Sequence, residues 1–129
     1  MNGMNGLLKI DSIMFCVSNL DKVAEFYENV LGLKRVWIDK EQGMIGFVFP
    51  ESDSEVVIHD DSSMSNPSFS FLVKDVQKFC EEYRSKGYNV VQEPFEVRCG
   101  KYAVLADLDG NELPIIDLTK FGNKPRYDE

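Results

Sequence analysis

The chain has one histidine, His59, in "VVIHDD". An imidazole is the side chain best matched to proton transfer near neutral pH, so His59 is the first candidate general base. Beside Asp60 and Asp61 it also reads as a hydrogen-bonded strand residue, the commoner role of a lone histidine. Cys16 would complete a Cys–His nucleophile pair with it, or would simply fill space as a small buried thiol. The other cysteines, Cys80 and Cys99, are far away in sequence, and three widely spaced thiols form neither a disulfide framework nor a CxxC knuckle. "VRCGK", residues 97–101, gathers two cations and a thiol beside a glycine, as a mobile lip for a ligand carboxylate or as solvated loop charge. "DLDGN", residues 107–111, lacks the further carboxylates of a calcium loop, and a hairpin turn explains it.

These residues are carried by a repeated pattern. Ile13, Phe15 and Val17 alternate with Ser12, Met14 and Cys16 as in a strand. Asn19 caps a helix whose stripe is Val23, Phe26, Tyr27, Val30 and Leu31, and Gly32 stops it. A shift of 56 residues returns the design in "SFSFLVKDVQKFCEEYRSKG": Ser68 matches Ser12, Asp75 replaces Asn19, Val76, Phe79, Cys80 and Tyr83 form the stripe, and Gly87 ends it. Three strand-like runs follow each helix, at 34–40, 44–50 and 55–60, then at 88–93, 101–107 and 112–118. Each half is therefore βαβββ, joined by the polar "DDSSMSNP" at 60–67. The organisation expected is a single domain, 1–129, of modules spanning 7–61 and 66–118 with a polar tail at 119–129.

Composition narrows the function classes. With 129 residues, 43% hydrophobic and 12% aromatic, the chain can build one real core and is not disordered. A net charge of -8 argues against nucleic acid and anionic membrane surfaces, whose recognition rests on Lys and Arg, and suits a cationic or neutral ligand. "MNGMNGLLKI" lacks the basic start and apolar run of a secretory signal, so a cytoplasmic location is expected.

Tandem βαβββ units with "VSNLDKVAEFYENVLGL" in the first and "DLDGNELPIID" near the end resemble the vicinal oxygen chelate superfamily, which includes glyoxalase I, extradiol dioxygenases and bleomycin-resistance proteins. The resemblance implies an α+β fold in which the tandem modules form a cupped mixed sheet with a helix packed outside each. It also implies a homodimer and a cleft between the modules. In metal-dependent members four positions supply His, Glu or Gln, and motif matching puts them at Ser12, His59, Ser68 and Pro114. Serine hydroxyls are poor ligands for such a cation and proline offers no side-chain donor, so no metal or other cofactor is expected.

The ligand-binding residues expected on the cleft side are Met14, Cys16, His59, Ser70, Leu72 and Ile116, with Trp37 and Tyr102 as aromatic walls. Ile13, Phe15 and Val17 should face the helices. The leading expectation is a metal-independent protein, similar to the bleomycin-resistance branch, that binds an aromatic or cationic small molecule. The alternatives are a glyoxalase-like or dioxygenase-like enzyme using His59, and a structural or partner-binding module.

Overall fold

The computed structural model describes residues 6–122, and what was expected of the tail from 123 onward lies outside them. The fold is α+β and consists of two βαβββ modules. The first comprises β1 (Lys9–Cys16), α1 (Leu20–Asn29), β2 (Lys34–Asp39), β3 (Met44–Phe49) and β4 (Ser52–His59). The second comprises β5 (Ser68–Leu72), α2 (Val76–Ser85), β6 (Val90–Glu96), β7 (Lys101–Ala106) and β8 (Glu112–Ile116), followed by a single 3-10 turn at Thr119–Phe121. Among the described residues, one compact unit covers 11–69 and the other joins 6–10 to 70–122. The backbone bond from Leu8 N to Leu72 O, 2.8 Å, ties that leading segment to the second unit. No helix among the described residues is long and apolar enough to cross a membrane.

Within the first module the strand order is β2-β3-β4-β1, antiparallel except for the parallel β1/β4 pair. The second repeats it as β6-β7-β8-β5, with β5/β8 parallel. The helices start where their side-chain caps allow. Asn19 accepts from Lys22 N and Asp75 from Lys78 N, each at 3.0 Å, which satisfies an amide that has no carbonyl partner in a first turn. Beyond each helix Gly32 and Gly87 take φ of 76° and 90°, a region open to glycine at little cost.

The buried faces of the helices follow the 56-residue repeat closely. Val76, Phe79, Cys80 and Tyr83 of α2 pack with Val73, Ala103, Leu105 and Ile115. Their counterparts Leu20, Val23, Ala24 and Tyr27 of α1 pack with Ile45, Phe47 and Ile58, and the Tyr27 and Phe47 rings lie 5.6 Å apart. Both sets stand at i, i+3, i+4 and i+7. The stripe expected for α1 is therefore corrected: Phe26, Val30 (66% exposed) and Leu31 lie on the outside. Phe26 is one helical step, about 100°, from Tyr27, and the helix ends at Asn29, before Val30 and Leu31 can rejoin its face. The repeat carries the polar Glu82 and Lys86 where α1 has Phe26 and Val30.

Val17 packs against the α1 cluster as expected. Phe15 aligns with Ile58 on the helix side but is half-buried and stands outside that cluster. The fully buried aromatic of this core is instead Phe47 on β3, whose burial contributes about 1.5–3 kcal/mol.

The hairpin reading of "DLDGN" holds. Asp107 accepts from Asp109 N, Asn111 N and Asn111 Nδ2, all at 2.9 Å. Those bonds, the one from the Asn111 side chain first, hold the Asp107 carboxyl below its ordinary 3.8. "VRCGK" is no free lip. Cys99 and Gly100 are buried, and Asp117, only 1% exposed, accepts from Val76 N at 2.7 Å through Oδ2. Its Oδ1 accepts from Lys101 N (2.9 Å), Thr119 N (3.2 Å) and Thr119 Oγ1 (2.8 Å). A Cβ at Gly100 would intrude on this carboxylate, so a larger residue would displace the loop.

Candidate ligand-binding faces

In the first module α1 covers the side of the sheet that carries Ile45, Phe47 and Ile58. Strand alternation and register turn Ser12, Met14, Cys16, Trp37, Met44, Gly46, Glu55, Val57 and His59 to the opposite side. Four of the expected site residues, Met14, Cys16, Trp37 and His59, therefore share this face. Three polar side chains on it are buried: Ser12 (3% exposed), Glu55 (3%) and His59 (0%).

Trp37 is less open than a ligand wall would be. Its indole lies against Gly46, where a Cβ would collide with the ring, and its Nε1 donates to Glu55 Oε1 at 2.9 Å. Glu55, the register partner of Ser12, is the polar residue that sequence reasoning missed here. Its signal was the parity of Glu55, Val57 and His59 within one strand.

His59 pairs in register with Cys16 on one side and Met44 on the other. The amide of Asp61 donates to its Nδ1 at 3.1 Å. An acceptor nitrogen carries no proton, so the imidazole is neutral with its proton on Nε2. Among the described residues that buried Nε2 has no hydrogen-bond partner, and Ser68 Oγ in β5 shares this condition. Asp61 is held in place by Ser63, whose hydroxyl and amide donate to Asp61 Oδ1 at 2.6 and 3.0 Å and lower its pKa. Asn66 Oδ1 accepts from Cys16 N at 3.1 Å, so the connector also reaches the end of β1.

In the second module α2 covers Phe71, Ala103, Leu105 and Ile115. The opposite side carries Ser70, Leu72, Tyr102, Val104, Pro114 and Ile116, which include the other four expected residues. Ser70 and Ile116 are buried, while Leu72 and Tyr102 are half-buried. Phe95 lies 5.5 Å from the Tyr102 ring, and burial raises the Tyr102 pKa, which keeps the phenol neutral.

The register corrects the equivalence drawn from the motifs. Phe15 pairs with Ile58 and Phe71 with Ile115, so Val57 is the counterpart of Pro114 and His59 that of Ile116. With Pro114 kept as the family position the four are Ser12, Val57, Ser68 and Pro114, and with His59 kept they are Ser12, His59, Ser68 and Ile116. The first set supplies no imidazole or carboxylate, and the second supplies a single imidazole. Among the described residues no group of three or more His, Cys, Asp or Glu side chains is gathered to hold a metal ion. Neither set supplies the three or more imidazole or carboxylate donors that such a divalent cation needs.

The model of the Glyoxalase/Bleomycin resistance protein/Dioxygenase superfamily matches residues 9–115, and the chain belongs to this superfamily. A search of curated proteins gave no match. Among solved structures, methylmalonyl-CoA epimerase from Mycobacterium tuberculosis is similar at 20% identity and TM-score 0.63, over 91% of this chain and 92% of that one. A Streptomyces coelicolor methylmalonyl-CoA epimerase variant in complex with 2-nitronate-propionyl-CoA is similar at 19% identity and TM-score 0.64, over 87% and 95%. NAD-dependent benzaldehyde dehydrogenase from Legionella pneumophila is similar at 22% identity and TM-score 0.61, over 83% and 97%. At these identities the likeness is one of fold.

Proposed function

We propose that this member of the superfamily is a metal-independent small-molecule binding protein, and that the sheet face opposite α1 contacts the ligand. The observation that carries the reading is the completely buried His59 on that face, whose Nε2 has no hydrogen-bond partner among the described residues. A face that served only packing would leave no donor unpaired, because a buried donor without a partner costs about 1–3 kcal/mol. Cys16 and Met44, the register partners of His59, and Met14 offer half-buried, adaptable apolar surface on the same face. The acidic chain favours neutral or cationic aromatic molecules over anions. CoA esters, which are anionic, belong in the screen as the test of that preference, because an epimerase neighbour is in complex with 2-nitronate-propionyl-CoA.

A ligand screen read by Trp37 emission and by thermal shift tests the proposal, since Trp37 is the only tryptophan. A ligand at a hundred times its Kd should stabilise the fold by about 2.7 kcal/mol. Met14→Trp should fold normally and lose that response. Elemental analysis finding about one metal ion per chain, lost in His59→Ala, would contradict the reading.

A further inference from the structure

We propose that His59 is a fixed hydrogen-bond donor to the ligand, and that the ligand presents a carbonyl-type oxygen to Nε2. The inference rests on the binding function proposed above and narrows its ligand class. Three observations on one side chain carry it. The imidazole is completely buried, so bulk water does not satisfy it. Its Nδ1 is occupied as an acceptor by the Asp61 amide, which fixes the tautomer and the ring orientation together. Its Nε2, the remaining polar atom, carries the proton and has no partner among the described residues.

The anchoring is built from several residues. Asp61 is the residue whose amide holds Nδ1, and Ser63 holds Asp61 through two bonds. His59 O accepts from Val17 N at 2.7 Å, so the backbone on the other side of the residue is tied as well. A donor oriented in advance loses little freedom when its partner arrives. It also selects: a ligand that offers only N–H groups at this point leaves two donors facing each other, whereas an acceptor oxygen removes the cost of the unpaired N–H. An aromatic ligand should therefore bring an amide, ketone or ester oxygen to His59, not an ammonium.

Because His59 is the only histidine, 15N labelling of histidine gives one imidazole spin system, and its ring nitrogens report the proposal directly. The probes are benzamide, benzoate and benzylamine, which share a ring and offer a neutral acceptor, an anionic acceptor and a donor only. The ligand-free protein should show a protonated Nε2 and an unprotonated Nδ1. Benzamide should shift Nε2 and its proton saturably, benzoate should do so more weakly, and benzylamine should leave both unmoved. His59→Phe should weaken benzamide about tenfold, and His59→Gln, which keeps an N–H donor, by less, with melting curves checking that both fold.

A proton on Nδ1 overturns the proposal. So does benzamide bound with Nε2 unmoved, a stronger response to benzylamine, or no saturable response to any of the three probes. Trp37 emission distinguishes the two levels of the argument: a ligand that changes it without moving Nε2 refutes the donor role and leaves the binding function standing.

Discussion

Replacing Asp117 tests how the loop and helix of the second module are held. Its Oδ2 accepts one bond, from Val76 N at the start of α2, and its Oδ1 accepts three, from Lys101 N, Thr119 N and Thr119 Oγ1. Asp117→Asn can keep its oxygen toward the three donors and must then turn an NH2 toward the Val76 amide. It loses one charge-assisted bond and the attraction between a carboxylate and a helix N-terminus, so the cost should be about 2–3 kcal/mol. Asp117→Ala abandons all four donors at a buried position and should cost about 4–5 kcal/mol. Gly100→Ala pushes a methyl group into the same carboxylate, so its cost and that of Asp117→Asn should sum to more than the double variant loses. Urea unfolding at pH 7, with the m-value unchanged, measures all four. A loss below about 0.5 kcal/mol for Asp117→Asn, or strict additivity with Gly100→Ala, would refute the reasoning.

Phe47→Ala, in the α1 core, should cost about 3–5 kcal/mol, and Met14→Ala, half-buried on the opposite face, clearly less; equal losses in denaturant melts would mean that the second face is packed core. Phe26→Glu with Val30→Lys copies the surface of α2 and should change stability by no more than about 0.5 kcal/mol; a loss several times larger would show that this flank is covered. Asp107 has a folded pKa below its ordinary 3.8, so its contribution is complete above that value and lost as the pH falls through the lower folded one. Asp107→Asn should accordingly lose less stability than the wild type on going from about pH 4 to more acid solution, and parallel melting curves would contradict this.

The repeat made most of the fold legible. Caps, stopping glycines and strand runs recur in the same order at nearly the same spacing, and the α2 stripe is as expected. The α1 stripe was misread because it contains more apolar residues than its buried face needs. Hydrophobicity alone could not say that Phe26, Val30 and Leu31 point outward, although the polar Glu82 and Lys86 at the repeated positions carried that information. The faces of Met14, Cys16, Ser70, Leu72 and Ile116 followed from strand parity, and that of His59 from the motif match. The register did not: only strand pairing shows that His59 corresponds to Ile116 and Val57 to Pro114. Glu55, inside β4, and Asp117, just beyond β8, were missed because a carboxylate looks like solvated charge until its hydrogen bonds are seen. Trp37 looked like an open wall because neither Gly46 beneath its ring nor the Glu55 acceptor at its N–H is close to it in sequence.

The central claim, metal-free ligand binding on the face opposite α1, is met most directly by mapping amide chemical shifts while metal-stripped protein is titrated with the best ligand from the screen. The shifts should concentrate on Ser12, Met14, Cys16, Val57 and His59 and saturate without added metal. Shifts confined to α1, or binding that requires a divalent cation, would contradict the claim.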